Sequence, residues 1–192
     1  MTLIRAAGSP DHKKLFDFQR AVASIFLVGM MGSGKTTLGK RLAQECGLAF
    51  IDLDREIERR NGVSVATIFE IEGEAGFRAR ESQVLKEVVQ RSGCVIATGG
   101  GIVLHPSNRA VLMAAGNVVY LHATPQLLYA RTRCDKSRPL LQVADPFARI
   151  TELTARRDPL YREVADVIIE AGRDVKSVVA QIKNRISTPC AH

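Results

Sequence analysis

Apolar residues recur along this chain in two alternating rhythms. Short β-rich apolar runs at 24–28, 48–52, 94–98, 117–121 and 166–169 read as strands buried in a sheet. Between them, apolar positions fall at helical spacing. Leu38, Leu42 and Ala43, for example, share one face of a helix over 35–46. Further helices are predicted at 55–61, roughly 74–91, 107–115, 124–132, 145–156 and 174–186. The punctuation agrees. Asn61-Gly62 is a turn signal, Thr124-Pro125 is an N-cap followed by proline at the first helical position, and Pro106-Ser107 and Asp145-Pro146 mark two more starts. Strand and helix alternating in this way predict an α/β fold with a parallel sheet.

Residues 1–22 lack the long apolar stretch and small-residue site of a secretory signal and read as a partly ordered extension. Residues 23–187 form one domain and 188–192 a tail. Residues 133–144, with Arg133, Lys136, Arg138 and Pro139, show no period and read as a mobile basic loop. There is no internal repeat, and no apolar run is long enough to span a membrane.

The first strand runs into Gly29-Met-Met-Gly-Ser-Gly-Lys-Thr-Thr37, which fits the phosphate-loop pattern G-x-x-x-x-G-K-[ST]. Its glycines let successive backbone N–H groups turn toward phosphate oxygens. Lys35 brings a positive charge to the β- and γ-phosphates, and the Thr36 hydroxyl can ligand Mg²⁺. The helix that follows points its N-terminus at the anion. Met30 and Met31 fill variable loop positions and read as packing.

Composition adds limits. The 192 residues carry a formal charge of +7, which suits anionic partners. The four cysteines, Cys46, Cys94, Cys134 and Cys190, are scattered without metal-ligand spacing, so neither a zinc site nor a disulfide framework is indicated. Cys94, at a strand start, reads as buried and inert. Reduced thiols fit a cytoplasmic protein. His105 and His122 have no second histidine at ligand spacing and read as turn or surface residues.

Three further patterns carry chemistry. Asp52-Leu53-Asp54 ends the second strand, where open α/β sheets collect ligands. Asp52 is placed to hold Mg²⁺, directly or through water. Asp54 can accept or orient a hydroxyl proton, or simply cap a helix starting at Arg55. Arg78 and Glu81 share a helix face, either as an anion grip held by a carboxylate or as an ordinary surface ion pair. Gly99, Gly100 and Gly101 follow the third strand and permit close backbone approach to a ligand, or form a plain turn.

Taken together, these motifs resemble the shikimate kinase family over about residues 24–186. The string Arg78-x-x-Glu81, then Val95-Ile96-Ala97-Thr98 and the three glycines, is similar to the family's signature. Asp52-Leu53-Asp54 resembles its D-x-D element, Arg138-Pro139-Leu140-Leu141 its lid, and Arg157-Asp158-Pro159-Leu160-Tyr161 its late R-x-P-L-Y element. The resemblance implies a P-loop, nucleoside-monophosphate-kinase-like sheet of five parallel strands in order 2-3-1-4-5. It implies phosphorylation of the 3-hydroxyl of shikimate by ATP with Mg²⁺, by a cytoplasmic monomer in aromatic biosynthesis.

The same resemblance implies roles. Gly32, Ser33, Gly34, Lys35, Thr36 and Thr37 cradle the phosphates, with Thr36 and Asp52 on the metal. Asp54 binds the attacking hydroxyl, while Arg78 and Arg157 clamp the substrate carboxylate. Glu81 holds Arg78 or touches a ring hydroxyl. Gly100 and Gly101 line the substrate, and Arg138 reaches the transferring phosphate. Arg131 and Arg173 lie toward adenine. Three other readings stay open: a kinase for gluconate or another hydroxylated acid, a ligand-sensing module, and a nucleic-acid binder. The last fits poorly, because no recognition motif accompanies the charge and only three Tyr and seven Phe offer stacking.

Overall fold

A computed structural model describes residues 23–135, 139–172 and 174–186. Five parallel strands, β1 (Ile25–Val28), β2 (Ala49–Asp52), β3 (Cys94–Ala97), β4 (Val118–His122) and β5 (Val167–Glu170), form one sheet in the order β2-β3-β1-β4-β5. The expected sheet and its order are both present. The helices are α1 (Lys35–Cys46), α2 (Leu53–Asn61), α3 (Val65–Val88), α4 (Pro106–Ala115), α5 (Pro125–Thr132), α6 (Pro146–Val164) and α7 (Val175–Ile186).

Strand alternation sorts the core into two layers. Phe26, Val28, Ile96, Val118 and Tyr120 face one side, where they meet residues of α2, α3, α5 and α6 such as Leu53, Phe77, Leu128 and Tyr161. Ile25, Leu27, Val95, Val119 and Leu121 face the other and pack on Leu38 and Leu42 of α1 and Val178 and Ile182 of α7. Both faces are covered, as a parallel sheet requires. Strand β2 is one of the two edges; Ala49 is exposed there and Phe50, Ile51 and Asp52 are partly buried.

Two helices differ from expectation. The structure extends the helix predicted from 74 back to Val65, capped by Ser64, with a break at Gly73 (φ 68°, ψ −175°). The helix predicted to end at 156 runs on through Pro159 to Val164. An interior proline removes one backbone bond and costs about 3 kcal/mol. Burial of Tyr161 and Val164 beyond it supplies the opposing gain. The R-x-P-L-Y residues therefore lie on a continuous helix. Within the predicted basic loop, Pro139–Leu141 forms a single 3₁₀ turn with Leu141 buried.

Candidate active site

The phosphate loop leaves β1 and enters α1 through Gly34, whose φ of 101° serves as the helix N-cap. Gly32 sits at φ 79°, and a methyl there would come within 2.7 Å of the Thr132 methyl, so the loop and α5 pack against each other without room for a side chain. Lys35 is buried, and its ammonium donates to the carbonyls of Gly29 (2.7 Å) and Met30 (2.9 Å). That holds the charge at the mouth of the loop. Met30 is buried in the core and Met31 packs against it, as expected, and Met31 also lines the cavity beside the loop.

Beside the loop, the Thr36 hydroxyl donates to Asp52 Oδ2 at 2.7 Å. The other Asp52 oxygen accepts from Arg55 N at 3.3 Å and caps α2, which begins at Leu53. The capping alternative weighed for Asp54 thus falls to Asp52, and Asp54 sits in the first turn facing the cavity. A hydroxyl and a carboxylate side by side are hard oxygen donors suited to Mg²⁺. Among the described residues no cluster of three or more acidic, histidine or cysteine side chains could hold a metal alone. Mg²⁺ held by such a pair takes its other ligands from phosphate and water.

A cavity of about 420 Å³ joins these groups. Gly32, Ser33, Gly34, Lys35, Thr36 and Thr37 form one wall, and Asp52, Asp54, Thr98 and Gly100 another. Arg131, Ala171, Gly172, Val175 and Val178 also line the cavity. Arg131 Nη1 donates to the carbonyls of Gly32 and Ser33, each at 3.2 Å, so the guanidinium lies against the loop backbone. The apolar wall of Ala171, Val175 and Val178 escaped sequence reasoning. Valines spaced i, i+3 are indistinguishable from ordinary core positions until β5 and α7 are placed beside the loop.

A cluster of charged side chains packs against the glycine turn. Glu81 is fully buried, and its Oε2 accepts from Arg78 Nη1 at 2.8 Å. Burial pushes the Glu81 carboxyl well above the usual carboxylate range; Arg78 opposes that shift and Asp54 adds to it. Arg78 is also held by Glu74, from Nη2 at 3.0 Å and from Nε at 3.3 Å. Arg157 is 2% exposed. Its Nη1 donates to Gly100 O at 3.1 Å, and its Nε has no hydrogen-bonding partner among the described residues. Burial pulls its pKa below arginine's ordinary value, and the like charge of Arg78 pulls the same way.

The three glycines explain themselves here. None of them needs a left-handed backbone. A methyl on Gly99 would overlap the Glu81 carboxylate and come within 2.9 Å of Asp54 Oδ1, and one on Gly101 would overlap the Arg78 guanidinium. The turn is bare because charged side chains press against it. Gly99→Ala should therefore lower stability by about 1–3 kcal/mol in a denaturant titration, as overpacking does. A variant as stable as the parent would show that the cluster relaxes freely.

Lys35, Thr36, Asp52, Asp54, Gly100 and Arg131 thus line one cavity, and Arg78, Glu81 and Arg157 pack against the glycine turn of which Gly100 and Gly101 are part. Arg138 and Arg173 lie outside the described residues. His105 caps α4 with its side chain, accepting from Ser107 N at 3.3 Å, and His122 lies 2.7 Å from Glu170, so both serve local structure. Cys94 is buried at the start of β3, where burial raises its thiol pKa.

A family model described as shikimate kinase matches residues 31–187. The chain belongs to the shikimate kinase family. It is 56% identical to a shikimate kinase of Aromatoleum aromaticum over 173 residues, covering 88% of this chain and 99% of that protein. With the shikimate kinase of Ralstonia nicotianae it shares 55% identity, covering 86% of each chain. Among solved structures it is similar to the shikimate kinase from Acinetobacter baumannii in complex with shikimate, with 44% identity and a TM-score of 0.87. That match covers 92% of this chain and 99% of that one. A gluconokinase from Sinorhizobium meliloti shares the fold alone, at 17% identity and a TM-score of 0.54. Shikimate kinase membership accounts for the co-occurrence of the phosphate loop, the Asp52–Asp54 pair and the glycine turn on one cavity.

Proposed function

We propose that this chain transfers the γ-phosphoryl group of ATP to the 3-hydroxyl of shikimate, giving shikimate 3-phosphate and ADP on the route to chorismate and the aromatic amino acids. The observation that carries this reading is Arg157. A guanidinium buried to 2% exposure, with its Nε unpaired among the described residues, calls for an anion in the adjoining cavity. A substrate carboxylate fits that need, and Arg78 stands on the same glycine wall to share it.

The remaining roles follow from position. The loop N–H groups and Lys35 hold the β- and γ-phosphates. Mg²⁺, held by Thr36 and by Asp52 directly or through water, neutralises phosphate charge when bound. Asp54 orients the acceptor hydroxyl and takes its proton as the new P–O bond forms. Arg78 and Arg157 hold the acceptor by its carboxylate so that the hydroxyl faces the phosphoryl group in line, the positioning on which phosphoryl transfer depends. Glu81 keeps the Arg78 fork aimed. Gly100 and Gly101 admit the acceptor close to backbone. Arg131 and the wall of Ala171, Val175 and Val178 border the adenine end. Arg138 as the lid arginine and Arg173 as an adenine neighbour rest on the family resemblance.

The reading includes a monomer acting on small molecules in the cytoplasm, without nucleic acid or membrane partners. No helix of the described residues is long and apolar enough to cross a membrane. A coupled assay with ATP, Mg²⁺ and a panel of hydroxylated acids tests the reaction. Turnover is expected with shikimate and not with gluconate. Folded protein giving no shikimate-dependent ADP above background would overturn the assignment.

A further inference from the structure

The glycine turn meets the cavity with no side chains of its own, so its peptide planes must be held from elsewhere. Two of them are held by the turn itself: Gly99 O accepts from Ile102 N at 3.2 Å, and Gly101 O from Leu104 N at 3.0 Å. Gly100 is held differently. Its carbonyl accepts from two side chains of α6, Arg157 Nη1 at 3.1 Å and the hydroxyl of Tyr161.

Tyr161 follows Arg157 by one helical turn, so both project from the same face. It is wholly buried, and its ring stacks on that of Tyr120, with centroids 4.9 Å apart at 27°. Tyr120 is fixed in turn, since its hydroxyl donates to Asp158 Oδ1 at 2.8 Å and Asp158 Oδ2 accepts from Arg162 Nε at 2.7 Å. Burial and the stacking of the two rings together set the Tyr161 ring in place. Burial raises the phenol pKa, which keeps the hydroxyl a donor. Arg157 alone would make a poor anchor, because the guanidinium that binds an anion must divide its donors between that anion and Gly100.

We propose that Tyr161 is a positioning residue for the phosphoryl acceptor: it locks the Gly100 peptide so that Arg157 and the glycine backbone present one fixed surface to the acceptor's carboxylate end. The inference rests on the shikimate reading of this site. Tyr161 acts through Gly100 and Arg157 and leaves the nucleotide end of the cavity untouched.

The test compares Tyr161→Phe with Tyr120→Phe. Each removes one buried hydroxyl from the same aromatic pair, but only the first removes a bond to Gly100. Loss of one such bond should raise the shikimate KM of Tyr161→Phe about five- to tenfold. The ATP KM should stay at the parent value, and Tyr120→Phe should keep both. A shikimate KM unchanged in Tyr161→Phe, or raised equally by Tyr120→Phe, would overturn the proposal. So would a rise in the ATP KM equal to that for shikimate. Amide exchange supplies a readout independent of turnover, because the Gly101 N–H shares a peptide plane with the Gly100 carbonyl. Its exchange should be about tenfold faster in Tyr161→Phe than in the parent, and identical rates would also sink the idea. Shikimate turnover by the parent protein tests the underlying reading separately.

Discussion

Arg157→Ala is expected to raise the shikimate KM by about a hundredfold, as removal of one partner of a buried charge pair does, and to leave the ATP KM near the parent value. The asymmetry follows from what Arg157 holds. It bonds Gly100 and makes no hydrogen bond to the phosphate loop among the described residues, although the backbone of Met31 and Gly29 lies close to the same glycine. Within the protein it bonds the Gly100 carbonyl at 3.1 Å and interacts with the Tyr161 hydroxyl, while its Nε has no hydrogen-bonding partner among the described residues. The truncation thus removes what a carboxylate would use. Arg157→Lys should recover only part of the loss, because an ammonium is a point charge and cannot meet a carboxylate as a planar fork. Steady-state kinetics with each substrate varied separately decides the matter. Equal loss toward ATP and shikimate would refute the assigned role.

The second large effect is expected at Asp54. Asp54→Asn should lower kcat by about 10²- to 10⁴-fold, the usual contribution of a positioned acid–base group, with both KM values little changed. The neighbouring Asp52→Asn makes the contrast. Asp52 caps α2 and accepts the Thr36 hydroxyl; asparagine still caps well, so the fold should survive while the Mg²⁺ requirement rises. A titration of activity against Mg²⁺ separates the two variants. Were Asp54→Asn to shift the Mg²⁺ dependence and Asp52→Asn to abolish kcat, the two roles would have to be exchanged.

Part of this site was legible along the chain. The phosphate loop is a contiguous pattern whose backbone geometry is local, so Gly34, Lys35 and Thr36 could be placed without knowing the fold. The strands were legible because each is a short run of apolar, β-rich residues. Local signals misled in two places. Residues 65–72 lie on a helix that Gly73 breaks, and Ile71 is exposed, so the apolar period there is weak. Pro159 reads as a helix stop, yet α6 continues because burial beyond it outweighs one lost backbone bond. The Asp52–Asp54 pair was recognised, but which carboxylate caps the helix depended on where α2 begins, a difference of two residues.

What the sequence by itself determined is the kind of each part: a phosphate-loop pattern, a pair of aspartates at a strand end, two arginines, and a parallel sheet to carry them. Tertiary structure alone decided how those parts meet. Arg78 and Arg157 are 79 positions apart, and their meeting at one glycine wall follows from β3 lying between β2 and β1, with α3 and α6 packed on the same face. The three glycines likewise looked like freedom along the chain. In the fold they are a lack of room, set by the carboxylate and guanidinium packed against them. Long-range packing produces both results, and no local pattern encodes the distance between residues that packing alone brings together.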